Sequence, residues 1–93
     1  MIKVWEVRQQ GFPVRLIPAA SAEEAVCTYY RQSRGMRSTP PVADVQRLSV
    51  GAGGRAGESF FAIGKLIHRM IVSVREDEAS TSALAAGLRE EIA

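Results

Sequence analysis

Residues 58–76 read ESFFAIGKLIHRMIVSVRE, and the way this stretch folds decides the architecture of the chain. At 100° per residue, Phe60, Ile63, Ile67, Met70, Ile71 and Val74 fall within an arc of about 120°, with Lys65, Arg69 and Ser73 opposite. That spacing predicts an amphipathic helix over 59–76. Phe61 and Val72 interrupt its polar side at nearly the same angle. They are therefore candidates for a second apolar contact, made by a partner, by a second subunit, or by a neighbouring element of the same chain. His68 falls at the border of the stripe, where a hydrogen-bonded boundary histidine is the usual occupant.

The segment feeding this helix, LSVGAGGRAGES, is rich in glycine. Gly51, Gly53 and Ala56 fit G-x-G-x-x-A, whose glycines let a backbone approach pyrophosphate at a helix N-terminus. Asp77 even stands where a ribose-binding acid would. The context speaks against such a site. A dinucleotide-binding half needs further parallel strands, Glu58 places negative charge where phosphate would sit, and no G-K-[ST] is present. The loop over 51–58 reads as a connection, with Arg55 as its charged tip and no cofactor.

Further towards the N-terminus, residues 2–18 read as a β-hairpin. KVWEVR and FPVRLI are rich in β-branched and aromatic residues, and QQG separates them. A two-residue Gln10-Gly11 turn would set Val7 against Val14, Trp5 against Leu16 and Glu6 against Arg15. Trp5, Val7, Phe12, Val14 and Leu16 would then share one face, and Pro13 would keep the second strand at an edge. Residues 21–34 read as a helix, with Ser21 as N-cap, Glu24 completing a capping box and Gly35 just past the end. Cys27 sits on the flank of its apolar stripe and reads as a structural thiol. A basic linker spans 35–42 and ends in Pro40-Pro41. Residues 43–50 are ambiguous, since Val42, Val45 and Leu48 have helical spacing; their shortness and bounding glycines favour a strand. Leu84, Leu88 and Ile92 mark a terminal helix over 81–92.

Composition limits the chemistry. The 93 residues make one domain over 1–93, with a single cysteine and a single histidine. An intramolecular disulfide and an all-Cys/His zinc site are both excluded. No apolar run reaches the roughly 18 residues of a membrane span, and MIKVWEVRQQG lacks the pattern of a signal peptide. A reducing cytoplasm is the expected compartment, with no membrane partner. Nothing sets Cys27 or a serine beside His68 with an orienting acid, so no enzyme is expected.

The net charge of +2 is unevenly spread, with eight Lys/Arg against four Asp/Glu over 1–57. Arg31, Arg34, Arg37 and Arg47 interleave with Tyr29 and Tyr30, a combination suited to phosphate contact and base stacking. The competing explanation is structural: Arg31 and Arg34 complement the helix macrodipole, and the tyrosines lie on the core stripe.

The succession KVWEVRQQGFPVRLIPAASAEEAV, then ADVQRLSV, then SFFAIGKLIHRMI resembles small α+β proteins of phages and other mobile elements, among them anti-CRISPR inhibitors. That resemblance implies a stoichiometric inhibitor that binds a CRISPR effector complex and carries no catalytic residues. The fold expected is α+β in the order β-β-α-β-α: a small sheet of a hairpin plus a third strand, ordered 2-1-3, with two main helices on one face. The function expected is a non-enzymatic protein-binding module of cytoplasmic, mobile-element type, able to form a homodimer. Nucleic-acid binding is the alternative. The candidate contact residues are Arg31, Arg34, Arg37, Arg47, Arg55, Phe61 and Val72.

Overall fold

The computed structural model describes residues 1–49 and 54–92, with side chains described through 87. Gly51 and Gly53 of the glycine motif lie outside the described residues. The chain is α+β. Strands β1 (Lys3–Arg8) and β2 (Arg15–Ala19) precede helix α1 (Ala22–Arg34). A 3-10 turn at Val42–Asp44 leads into β3 (Val45–Leu48), and β4 (Ser59–Ile63) and β5 (Met70–Glu76) follow, joined through a second 3-10 turn at Leu66–His68. Helix α2 (Glu78–Ile92) completes the order. The five strands form one open antiparallel sheet in the order β2-β1-β5-β4-β3.

The helix predicted over 59–76 is therefore a β-hairpin, which corrects both the expected β-β-α-β-α order and the expected 2-1-3 sheet. The physical reason is alternation in β5, where Met70, Val72 and Val74 are buried and Ile71 is half exposed, beside a β4 in which Phe61, Ala62 and Ile63 are all buried. Phenylalanine, isoleucine and valine suit a half-buried pleated surface. Gly64 interrupts the run with φ +86°, which the left-handed region permits to glycine at little cost. β3 pairs with β4 at the far edge, not with β1, whose second neighbour is β5.

The first hairpin is present in a register one residue away from that expected. Val7 faces Arg15, Glu6 faces Leu16 and Trp5 faces Ile17. The loop runs from Gln9 to Val14 and turns through a Phe12 N–H bond to the Gln9 carbonyl, so the two-residue turn does not form. Because side chains alternate with period two, the slip exchanges faces. Ile17 and Ala19 are buried, while Phe12, Val14 and Leu16 are exposed.

Helix α1 lies across the face so created. Ala25, Val26, Cys27 and Tyr29 pack with Val7, Ile17, Phe61, Ile63, Val72 and Val74 in one core. Each such aliphatic or aromatic side chain contributes about 1.5–3 kcal/mol on full burial. The helix begins where Ser21 Oγ accepts the Glu24 N–H, and the Glu24 carboxylate accepts the Ala20 N–H in return. It stops at Gly35, which takes up φ +63°, with the Met36 N–H closing on the Arg31 carbonyl. Helix α2 docks on β1 where β5 ends. The Val4 N–H donates to Thr81 Oγ1, and the Val4 carbonyl accepts the Asp77 N–H. No helix of the described residues is long and apolar enough to cross a membrane.

Candidate interaction surface

The antiparallel registers bring the β1–β2 turn, the β4–β5 turn and the approach to β3 to one end of the sheet. The C-terminus of α1 reaches the same end, because Arg34 Nη2 donates to the His68 carbonyl. Most of the exposed large apolar side chains gather here. They include Leu66 at 92% and Ile67 at 88% exposure in the β4–β5 turn, and Phe12 at 62% and Val14 at 45% in the β1–β2 turn.

The β4–β5 turn is held in one shape. The His68 N–H bonds the Lys65 carbonyl at 2.9 Å, and the Arg69 N–H bonds the Leu66 carbonyl at 3.1 Å. The His68 carbonyl accepts the Tyr30 hydroxyl at 3.1 Å and Arg34 Nη2 at 3.3 Å. Arg34 also lies over the Tyr30 ring, 5.6 Å from its centroid. Leu66 adopts φ +53°, the one left-handed residue other than glycine among those described. An L-residue pays about 1–2 kcal/mol there. Its side chain is almost wholly exposed, so no burial within the chain offsets that cost.

Charge is sorted along the same axis. Lys65, His68 and Arg69 are exposed in the β4–β5 turn, and Arg37 is exposed beyond α1. The cations that form ion pairs among the described residues are Lys3, Arg8 and Arg55; Lys65, Arg37 and Arg69 are not among them. The acids Glu23 and Glu24 open α1, and Glu76, Asp77 and Glu78 bridge β5 to α2, all at the opposite end.

The residues singled out from the sequence fall into three groups. Phe61 and Val72 are 0% and 1% exposed and face each other directly across β4 and β5. They are core residues beneath α1, which corrects their assignment to a partner contact. Arg47 and Arg55 are committed within the fold. Arg47 caps the Phe61 ring at 5.4 Å and donates to Ser59 Oγ. Arg55 binds Glu58 at 2.8 Å and reaches across to Glu6. Hydrogen bonds from Arg55 and Arg8 hold the Glu6 carboxyl below its ordinary value. Burial pushes Glu58 up, but its bonds to Arg55 outweigh that and leave it lowered. Glu58, which reads as hostile to phosphate, is thus the anchor of the loop. Arg31, Arg34 and Arg37 remain with the loop end.

Tyr29 is 2% exposed and donates its hydroxyl to Gln9 Oε1, so it offers no face for base stacking. Cys27 is buried in the core, and that burial pushes its thiol up, the opposite of an activated nucleophile. His68 lies in the exposed turn, and the fold does not bring the two together. The helical spacing of 59–76 conceals Leu66 and Ile67 within an apparent helix. The signal that exposes them is Gly64 followed by KLIHR between the apolar run FFAI and the alternating run MIVSV. Compared with protein-family models, curated proteins and solved structures, the chain gives no match.

Proposed function

We propose that this chain is a non-enzymatic binding module that works by contact through its loop end. One observation carries the proposal: Leu66 and Ile67 are presented in a turn fixed by Tyr30 and Arg34 and serve no packing role inside the chain. Two adjacent exposed aliphatic residues on a fixed turn, one of them in a strained backbone region, suit contact with something outside the chain. A buried thiol and a histidine set apart from it favour binding over catalysis. The nucleic-acid alternative keeps the cations Arg31, Arg34 and Arg37 but loses its stacking platform, since Tyr29 is buried and Tyr30 lies under Arg34.

The test is a photo-crosslinking amino acid placed at Ile67 or, as a control, at Glu23 on the opposite end. The expected result is covalent adducts, to protein or lipid, from position 67 in cells and none from position 23. Adducts from both positions alike, or from neither, overturn the reading.

A further inference from the structure

We infer that the loop end docks on the surface of an anionic lipid bilayer, with Leu66 and Ile67 entering the boundary between headgroups and acyl chains. This rests on the binding-module reading and names the partner of that same surface. It also departs from the expectation that the chain has no membrane partner. The length of an apolar run decides whether a segment spans a bilayer and has no bearing on peripheral docking.

The first support is the order of chemistry along the turn. Lys65 precedes the Leu66-Ile67 pair, and His68 and Arg69 follow it, so cations stand at the feet of an apolar apex. A bilayer with acidic headgroups has the matching order in depth: phosphate at the surface and hydrocarbon beneath. Asp44 is the one acid in the described loops of this end; Glu6 lies within β1, and Glu23, Glu24, Glu58, Glu76, Asp77 and Glu78 lie towards the far end. The field along the chain therefore orients the loop end towards negative charge.

A second turn adds an independent anchor. Phe12 and Val14 are exposed in the β1–β2 turn, flanked by Arg8 and Arg15. The sheet order sets the centres of the two turns two strand spacings apart, about 10 Å. A protein partner would have to match that spacing with its own surface. A bilayer is laterally uniform and accepts both wherever they land. The aliphatic apex equally disfavours nucleic acid, which would use the cations and gain nothing from Leu66 or Ile67.

The third support is rigidity. The bonds from Tyr30 and Arg34 to the His68 carbonyl fix the apex before contact, so little order is lost on docking.

Co-sedimentation with unilamellar vesicles tests this directly, using phosphatidylcholine alone and phosphatidylcholine mixed with phosphatidylglycerol. The intact chain is expected to sediment with the mixed vesicles and to remain in solution with phosphatidylcholine alone. Leu66→Ser with Ile67→Ser should weaken binding by about tenfold or more. Lys65→Gln with Arg69→Gln should weaken it by about fivefold per cation removed. Both pairs are exposed, and circular dichroism checks that each variant is folded. Absence of binding to the mixed vesicles overturns the lipid assignment; if position 67 still crosslinks to a protein, the binding-module reading survives without it. Binding that the Leu66 and Ile67 changes leave intact is adsorption by charge alone and overturns it too. The same holds if the chain binds an oligonucleotide at equal salt more tightly than it binds the vesicles.

Discussion

Replacing Gly64 by alanine changes stability with a sign that depends on the fold. In the middle of an amphipathic helix, Gly→Ala stabilises by about 0.5–1 kcal/mol, because glycine loses the most backbone freedom there. In the hairpin the effect reverses. Gly64 holds φ +86°, and a Cβ there would run into the His68 carbonyl oxygen and sit 2.8 Å from Tyr30 Oη. The left-handed backbone costs an alanine about 1–2 kcal/mol. Moving the His68 carbonyl out of the way also sacrifices its bond from the Tyr30 hydroxyl, about 1 kcal/mol. A stiffer unfolded chain returns part of that, about 0.5 kcal/mol.

The net loss is about 1.5–2.5 kcal/mol, a large share of the roughly 5–15 kcal/mol available to a domain. With a urea slope of about 1 kcal/mol/M, at the low end as suits a short chain, the midpoint should fall by about 2 M. Tyr30→Phe supplies the second half of a double-mutant cycle. It should cost about 1 kcal/mol in the parent chain and close to nothing beside Gly64→Ala, where its partner has already moved. A midpoint that rises, or that stays within about 0.5 M of the parent's, refutes the hairpin and the anchoring of its turn.

Phe61→Ala should cost about 3–5 kcal/mol in the same urea experiment, because the ring is wholly buried; Leu66→Ser should leave the stability within about 0.5 kcal/mol of the parent's. Ser21→Ala removes the oxygen that accepts the Glu24 N–H and should lower stability by about 1 kcal/mol, while Ser21→Gly costs only a few tenths. Arg55→Ala should lower the melting temperature at neutral pH and matter less in acid. Glu6 and Glu58 both have lowered values in the folded chain, so their contribution is fully present above the ordinary carboxylate range. It disappears as the pH falls through the lower folded values. Melting curves of parent and variant should therefore converge as the pH drops from about 5 towards 2, and a gap that widens in acid contradicts the Arg55 anchor.

Local signals in the sequence carried well where the chemistry is local. The Ser21 cap, the Glu24 return bond and the Gly35 stop bound α1 through contacts between neighbours in the chain. The first hairpin was legible as an element, but its register was not. Register depends on loop length, and neither a two-residue turn nor the observed Gln9–Val14 loop is excluded by QQG. The misread 59–76 segment has a more general cause. Residues facing each other across β4 and β5 are Ile63 and Met70, Phe61 and Val72, and Ser59 and Val74. Their separations grow in steps of four, since each step adds two residues on either strand. Those separations are close to two, three and four helical turns. A hairpin with one buried face can therefore imitate a helical stripe, and the coincident angles of Phe61 and Val72 record a cross-strand pair.

The same geometry explains why the candidate surface was the least legible feature. A surface residue declares itself in sequence when an apolar side chain stands where the predicted element should be polar. Here the wrong element absorbed Ile67 into its stripe and left Leu66 unremarked. Once Gly64 is read as the start of a turn, both become loop residues with no core to reach. The arginines show the converse. Arg47 and Arg55 look like free cations in sequence, yet one covers Phe61 and the other ties the loop to Glu6 and Glu58. Partners as distant in the chain as Phe61 and Glu6 leave no periodic trace, whereas Glu58 stands only three residues from Arg55. What distinguishes Lys65 and Arg69 from them is position at the end of the sheet, away from the acids that engage Lys3 and Arg55. On the reading proposed above, the ion-paired Arg55 stabilises the fold and the exposed apex of the β4–β5 turn makes the contact. Changes at Arg55 should therefore read out in melting, and changes at Lys65 or Leu66 in binding.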